Sequence, residues 1–296
     1  MELRQLSYFA AVARHRHFTR ASEELHVAQP ALSQQVRKLE AELGVELLRR
    51  STRSVELTEA GELLLARANR VLGEVESARQ ELSELGGRLR GHVELGSLPL
   101  ASLGVPAMLM EFRGQYPGIG IHLHEQALDI IMPMLERGEL DLTFALAGPD
   151  ELGAGNTVQV LFVEELVAVT ARTHPLAERR SIRLAELHDD PLIGFRRGSA
   201  LRRAVDEHLE ETESPPTYAF ETFELETIRA LASHGLGVAL LPAGYLAPEG
   251  PPVATAHLRP RIRVPVSLVW RTERRHTPAA QAFLDFARER FGRAGP

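Results

Sequence analysis

The sequence predicts an α+β protein of several domains, a small helical head joined by one long helix to an α/β body. Three observations predict it. Gln29 to Gly44, QPALSQQVRKLEAELG, has the pattern of a helix with two unlike faces. Glu59 to Leu85 contains no proline and places Leu64, Ala68, Val71, Val75, Ala78, Leu82 and Leu85 in alternating steps of four and three. Beyond residue 89, short apolar runs alternate with helical patterns, the texture of strands and helices in succession.

The 296 residues, 44% apolar and 25% charged, suit two or three folded units. No run of about 18 apolar residues occurs, and MELRQLSYFAAVARHRHF scatters charge through its apolar positions. A cytoplasmic chain without signal peptide or membrane span is therefore expected. The absence of cysteine excludes disulfides, thiol nucleophiles, thiolate metal sites and cysteine redox switches. The net charge of −6 is uneven: residues 1–58 carry +2 and the remainder −8. A weakly basic head on an acidic body is compatible with local phosphate contact, but not with coating of nucleic acid.

Taken in order, Leu3, Leu6, Phe9, Ala10 and Ala13 mark a first helix, broken at His15–His17, and Thr19 to His26 a second. A tight turn at His26–Ala28 leads to the third helix, completing a helix-turn-helix. Its core stripe is Leu32, Val36, Leu39 and Leu43, its outer face Pro30, Ser33, Gln34, Arg37 and Ala41. Pro30 suits the helix start and Gly44 the left-handed residue that ends it. The run VELLRRSTRSVEL, Val45 to Leu57, predicts a small hairpin or wing with an arginine-rich tip. The helix from Glu59 to Leu85, about 40 Å long, outreaches one small domain, so its seam predicts a homodimer contact, the alternative being a seam buried against its own chain; Gly86, Gly87 and Gly91 follow as a linker. Strands are then expected at His92–Ser97, Ile119–His124, Leu140–Leu146, Leu161–Thr170, Leu192–Phe195, Tyr218–Phe220, Gly237–Leu241 and Pro265–Trp270. Helices are expected at Pro106–Tyr116, Ile130–Arg137, Leu201–Glu210, Glu224–Ser233 and Pro278–Phe291. Such alternation implies parallel sheets, with ligands beyond the carboxyl ends of the strands.

The head segment FTRASEELHVAQPALSQQVRKLEAELGVELLRRSTRSVELTEAG resembles the winged helix-turn-helix of LysR-type transcriptional regulators. The body resembles their effector domain through GSLPLASLGVPAMLMEF, LERGELDLTFA, SHGLGVALLP and VSLVWRTERRHTPAAQAFLDF. The resemblance implies a winged helix-turn-helix domain over 1–58, a dimerisation helix over 59–88 and a periplasmic-binding-protein-like effector domain over 89–296. The last comprises subdomain I, 89–162 and 265–296, and subdomain II, 163–264. Crossings near Phe162–Glu164 and Val264–Val266 would form the hinge, and a homotetramer is implied.

On the DNA side the resemblance implies Gln29, Pro30, Ser33 and Gln34 at the groove-facing end of the recognition helix. Gln34 can pair with adenine through both amide atoms, whereas the arginine frequent here in the family favours guanine. Arg37 and Lys38 can reach phosphates or form an ordinary solvated face. Arg50 and Arg53 belong to the wing, which suits backbone or minor-groove contact. On the effector side, Ser97 ends the first strand of the body, and the family commonly uses that position for effector contact. Pro99 and Ser102 follow, Ser102 reading first as a helix cap. Leu128 stands where the resemblance leads one to expect serine or threonine. Phe195, Arg196 and Ser199 end a strand and open a helix, so Arg196 can supply a carboxylate counter-ion, with Arg197 and Arg202 as alternatives. Phe223 lines the same cleft or belongs to the core.

His122, His124 and Glu125 are too few donors for a metal without a partner from elsewhere, so no metal is expected. No phosphate loop or nucleophile elbow occurs, and neither catalysis nor a cofactor is expected. The favoured reading is a regulator that binds double-stranded DNA at a pseudo-palindromic operator and responds to a small-molecule effector, an organic acid. The alternative is an intracellular solute-binding or enzymatic module whose head mediates protein contacts.

Overall fold

The computed structural model describes residues 1–50, 55–85, 89–98, 104–210, 216–246 and 250–292. Three helices open the chain: α1 (Leu3–His15), α2 (Phe18–Glu24) and α3 (Gln29–Leu43). Phe9, Val12, Ala21, Leu32, Val36 and Leu39 are buried together, so the apolar stripes read from periodicity build one small core. Pro30 lies in the first turn of α3, and Gly44 caps it at φ 70°. Leu43 belongs to the same stripe yet is 38% exposed, because periodicity fixes the face a side chain takes and not whether anything packs there. The wing is a two-stranded ladder, β1 (Leu48–Arg50) against β2 (Val55–Leu57), with Leu48 opposite Leu57. Its tip, including Arg53, lies outside the described residues.

Helix α4 (Glu59–Leu85) follows, and it has two working faces. Leu65 and Ala68 are buried, Leu65 in the core of the head, and farther along Asn69 donates to the Arg137 carbonyl at 2.8 Å. Gln80 is 2% exposed; its Oε1 accepts from the Ala279 N–H at 3.1 Å, so α4 is tied to the body. Ala68, expected in the dimer seam, is thus used within the chain. Val71 and Leu82 of that seam are 43% and 70% exposed. The glycines Gly86 and Gly87 lie outside the described residues.

The body holds β3 (Gly91–Ser97), α5 (Val105–Gln115), β4 (Ile119–Glu125), α6 (Leu128–Glu136), β5 (Leu142–Ala145) and β6 (Asn156–Thr170). These are followed by β7 (Ser181–Arg183), β8 (Leu192–Phe195), α7 (Ala200–Leu209), β9 (Tyr218–Thr222), α8 (Leu225–Ser233) and β10 (Val238–Pro242). The chain ends with β11 (Ala254–Arg259), β12 (Arg263–Arg271) and α9 (Pro278–Gly292). The strand path is β4-β3-β5-β12-β6-β10-β8-β9, with β11 beside β6 and β7 beside β11.

The expectation of wholly parallel sheets is corrected. β3, β4 and β5 are parallel, as are β8, β9 and β10, but β6 and β12 run antiparallel to each other and to their other neighbours. The reason is topological: β6 carries the chain from one half of the body to the other, and β12 brings it back. Two strands making the same passage in opposite senses must pair antiparallel. Arg263–Val266 pair with Phe162–Glu165 alone, and the register shifts between Val266 and Ser267, where β12 also meets β5.

Glu164 sits in this crossing, only 8% exposed, with Oε1 accepting from the Gly244 N–H at 2.8 Å. Burial pushes its carboxyl above the ordinary range, opposed by the Gly244 and Ala243 N–H groups. The folded state thus holds this proton more tightly than the unfolded chain. Its contribution to stability is complete below the unfolded pKa and is lost as pH rises through the folded pKa. Glu164→Gln is therefore expected to gain in urea midpoint relative to wild type as pH rises from acid toward neutrality. A difference independent of pH would contradict it.

Candidate DNA-binding and effector sites

Burying Leu32, Val36 and Leu39 leaves Gln29, Pro30, Gln34, Arg37 and Lys38 exposed and Ser33 half-buried on the outer side of α3. Pro30 and the short polar side chains at the start of the helix keep that end slim, as entry into a groove requires. Glu40 joins α3 to the wing: its Oε1 accepts from the Leu47 and Leu48 N–H groups at 3.1 and 3.2 Å, and its other oxygen pairs with Arg50. Arg50 also lies over the Phe18 ring at 5.1 Å. Its guanidinium therefore braces the wing, which the sequence alone did not signal.

A cavity of about 520 Å³ opens between the two halves of the body. The starts of α6, α7 and α8 reach it through Leu128, Ala200 and Leu225, beyond the carboxyl ends of β4, β8 and β9. Its walls are largely apolar, including Leu98, Ile130, Leu146 and Phe195, with Gln126, Asp129, Arg196, Arg197 and Ser199 as polar groups. Arg196 is exposed and lies over the Phe223 ring at 4.9 Å. Ser199 caps α7, its Oγ accepting from the Arg202 N–H at 3.1 Å.

The cavity thus brings together Leu128, Phe195, Arg196, Ser199 and Phe223. Ser97 is 1% exposed and is not among the described residues of the cavity wall; its hydroxyl donates to the Leu98 carbonyl at 2.6 Å. A serine at a strand end can face either way, and here it faces inward. Pro99 and Ser102 lie outside the described residues. Sequence reasoning missed Gln126 and Asp129, although their place after β4 and at the opening of α6 was the available signal.

Arg202, weighed as a counter-ion, is committed to partners of its own. Its side chain is 6% exposed and points behind the cavity, with Nε to Asp206 at 2.8 and 2.9 Å and Nη1 to Glu221 at 3.3 Å. Nη1 also donates to the Phe195 carbonyl at 3.0 Å, and the guanidinium stacks 3.4 Å from the Tyr218 ring centroid. Burial alone would lower the Arg202 pKa, but Asp206, Tyr218 and Glu221 raise it. Burial and the Asp206 carboxylate push the Tyr218 phenol well up. The network fixes the strand end from which Arg196 projects.

A slim polar helix on a winged head, joined to a two-halved α/β body with a cavity at the crossing, defines a DNA-binding regulator with an effector domain. Residues 3–62 match the family described as bacterial regulatory helix-turn-helix protein, lysR family, and residues 86–292 match the LysR substrate binding domain. The chain belongs to the LysR family of transcriptional regulators. It is 34% identical over 275 residues to the DNA-binding transcriptional dual regulator OxyR of Escherichia coli K12, covering 92% of this chain and 90% of that one. It is 31% identical to the transcriptional activator CmpR of Synechocystis, covering 96% and 94%. A full-length OxyR variant from Pseudomonas aeruginosa, altered at one cysteine, superposes with a TM-score of 0.79 at 29% identity, covering 97% and 95%. Full-length CbnR in complex with its target DNA does so at 0.66 and 27% identity, covering 98% and 99%. Both proteins in the first pair of comparisons are regulators, not enzymes.

Proposed function

We propose that this regulator recognises a pseudo-palindromic operator through Gln29, Pro30, Ser33 and Gln34, and that a small organic acid in the body cavity modulates it. Arg37 and Lys38 contact phosphates in this reading, with Arg53 in the minor groove. The observation that carries the effector reading is the cavity itself. Helix starts direct partial positive charge at the cavity, Arg196 and Arg197 add full charge, and apolar walls suit a hydrocarbon portion. Leu128 extends the apolar wall.

Some relatives are described as hydrogen peroxide-inducible genes activators. That inducer does not transfer readily to a chain without cysteine, because the thiolate is the side chain that peroxide oxidises most directly.

The proposed division is 1–58, 59–88 and 89–296, with the crossing of β6 and β12 as hinge between residues 89–162 plus 265–296 and residues 163–264. The exposed Val71 and Leu82 support a homodimer along α4, and a homotetramer completes the reading. A cytoplasmic location follows from its DNA target; among the described residues no helix is long and apolar enough to cross a membrane.

The test is a gel shift with the DNA upstream of the chain's own gene. Sequence-specific binding with a steep salt slope is expected; no preference over random DNA at low salt would reject the operator assignment. For the effector, small aromatic and aliphatic acids are titrated while melting is followed. An acid that raises the melting temperature of wild type is expected to raise it much less in Arg196→Ala. An equal rise in both would remove Arg196 from the site.

A further inference from the structure

Strands β3 and β4 pair in parallel, with Glu94 opposite His122 and Gly96 opposite His124. Residues two apart on a strand share a face, so His92 and Glu94 of β3 lie beside His122 and His124 of β4. Glu94 stands at the centre. Its Oε1 is 2.7 Å from His122 Nδ1 and 3.7 Å from His92 Nε2, and its Oε2 is 2.7 Å from His124 Nε2. One donor atom each from His92, Glu94 and His122 falls within 4.8 Å of the others. His122 is 64% exposed on β4, the edge strand, so the cluster is open to solvent on one side.

We propose that His92, Glu94, His122 and His124 form a binding site for a divalent transition-metal ion of the zinc or nickel class. Three imidazoles and one carboxylate are the donors such ions favour, whereas magnesium and calcium favour oxygen. His122 and His124 hydrogen-bond to Glu94 without the ion, and His92 Nε2 stands 3.7 Å from the same carboxylate, so the donors already face a common point.

His92, Glu94 and His124 wall a second cavity with Glu76 and Gln80 of α4. An ion there stands beside the contact through which Gln80 ties α4 to α9. This inference does not depend on the cavity assigned to the organic acid.

The test is calorimetric titration of the tag-free, metal-stripped full chain with zinc chloride and with magnesium chloride. One saturable zinc site per chain is expected, with a rise in melting temperature and no comparable effect of magnesium. His122→Ala and Glu94→Gln should each weaken zinc binding about 10-fold or more, a change of the size that perturbing a metal site produces. His122 is exposed on an edge strand, so His122→Ala should keep the metal-free melting temperature. His188→Ala, at an exposed histidine paired with Asp189 elsewhere on the body, should bind zinc as wild type does. Equal zinc affinity in wild type and His122→Ala, an equal response to magnesium, or no saturable zinc site would each overturn the proposal.

Discussion

Arg202→Leu is expected to lower the unfolding free energy by roughly 2–4 kcal/mol, read as a lower urea midpoint at unchanged slope. The guanidinium is buried, and removing it leaves Asp206 without the Nε–H that its two oxygens share, Glu221 without its nearby charge and the Phe195 carbonyl without its donor. Breaking a fully buried pair costs about 3–5 kcal/mol; Asp206 and Glu221 are 39% and 34% exposed, and water offsets part of that loss. Arg202→Lys keeps the charge but not the planar fork or the stacking on Tyr218, so it should recover only part of the stability. A loss below about 0.5 kcal/mol, the size of an ordinary surface substitution, would show that the network does not hold this strand end.

Gln34→Ala, and separately Ser33→Ala, should weaken operator binding by about 1–3 kcal/mol while affinity for random DNA stays nearly constant. The argument is one of reach. Both side chains stand near the start of α3, opposite the buried face of Leu32, Val36 and Leu39, and the head cannot turn them inward without exposing its core. Lys38→Ala should behave differently, weakening all sequences alike and reducing the salt slope by about one. Parallel losses on operator and random DNA for Gln34→Ala would place its contribution on the backbone rather than the bases.

The head was legible because its signals are local. Apolar period, Pro30 and Gly44 specify α3 within one short stretch of consecutive residues, and burial followed them except at Leu43, which stays 38% exposed. The body was legible as alternating strands and helices, but not in strand direction, in the short strands β7 and β11, or in the extent of β6, whose first residues, 156–160, escaped notice. Half-buried at 156–159 and exposed at Val160, they carry no apolar run, and only pairing with β12 makes them strand. In the cavity, Phe195, Arg196 and Ser199 were found from the strand-to-helix junction. The inward turn of Ser97 and the ion pairs of Arg202 were not legible, because a residue type at a strand or helix end does not state which way its side chain turns.

The sequence by itself determined the helix-turn-helix, the long helix and the presence of an α/β body, while the family entered through the resemblance of its motifs. Each rests on periodicity, caps and spacing within short stretches, where neighbours along the chain are neighbours in space. Only the tertiary structure decided what depends on distant segments meeting. It turned Ala68 and Gln80 of α4 toward their own chain and committed Arg202 to Asp206, Glu221 and Tyr218. It also brought Glu94 and His92 to the pair His122 and His124, which lacked donors when read along one strand. Side-chain direction and long-range pairing set these outcomes, and neither is written in local spacing.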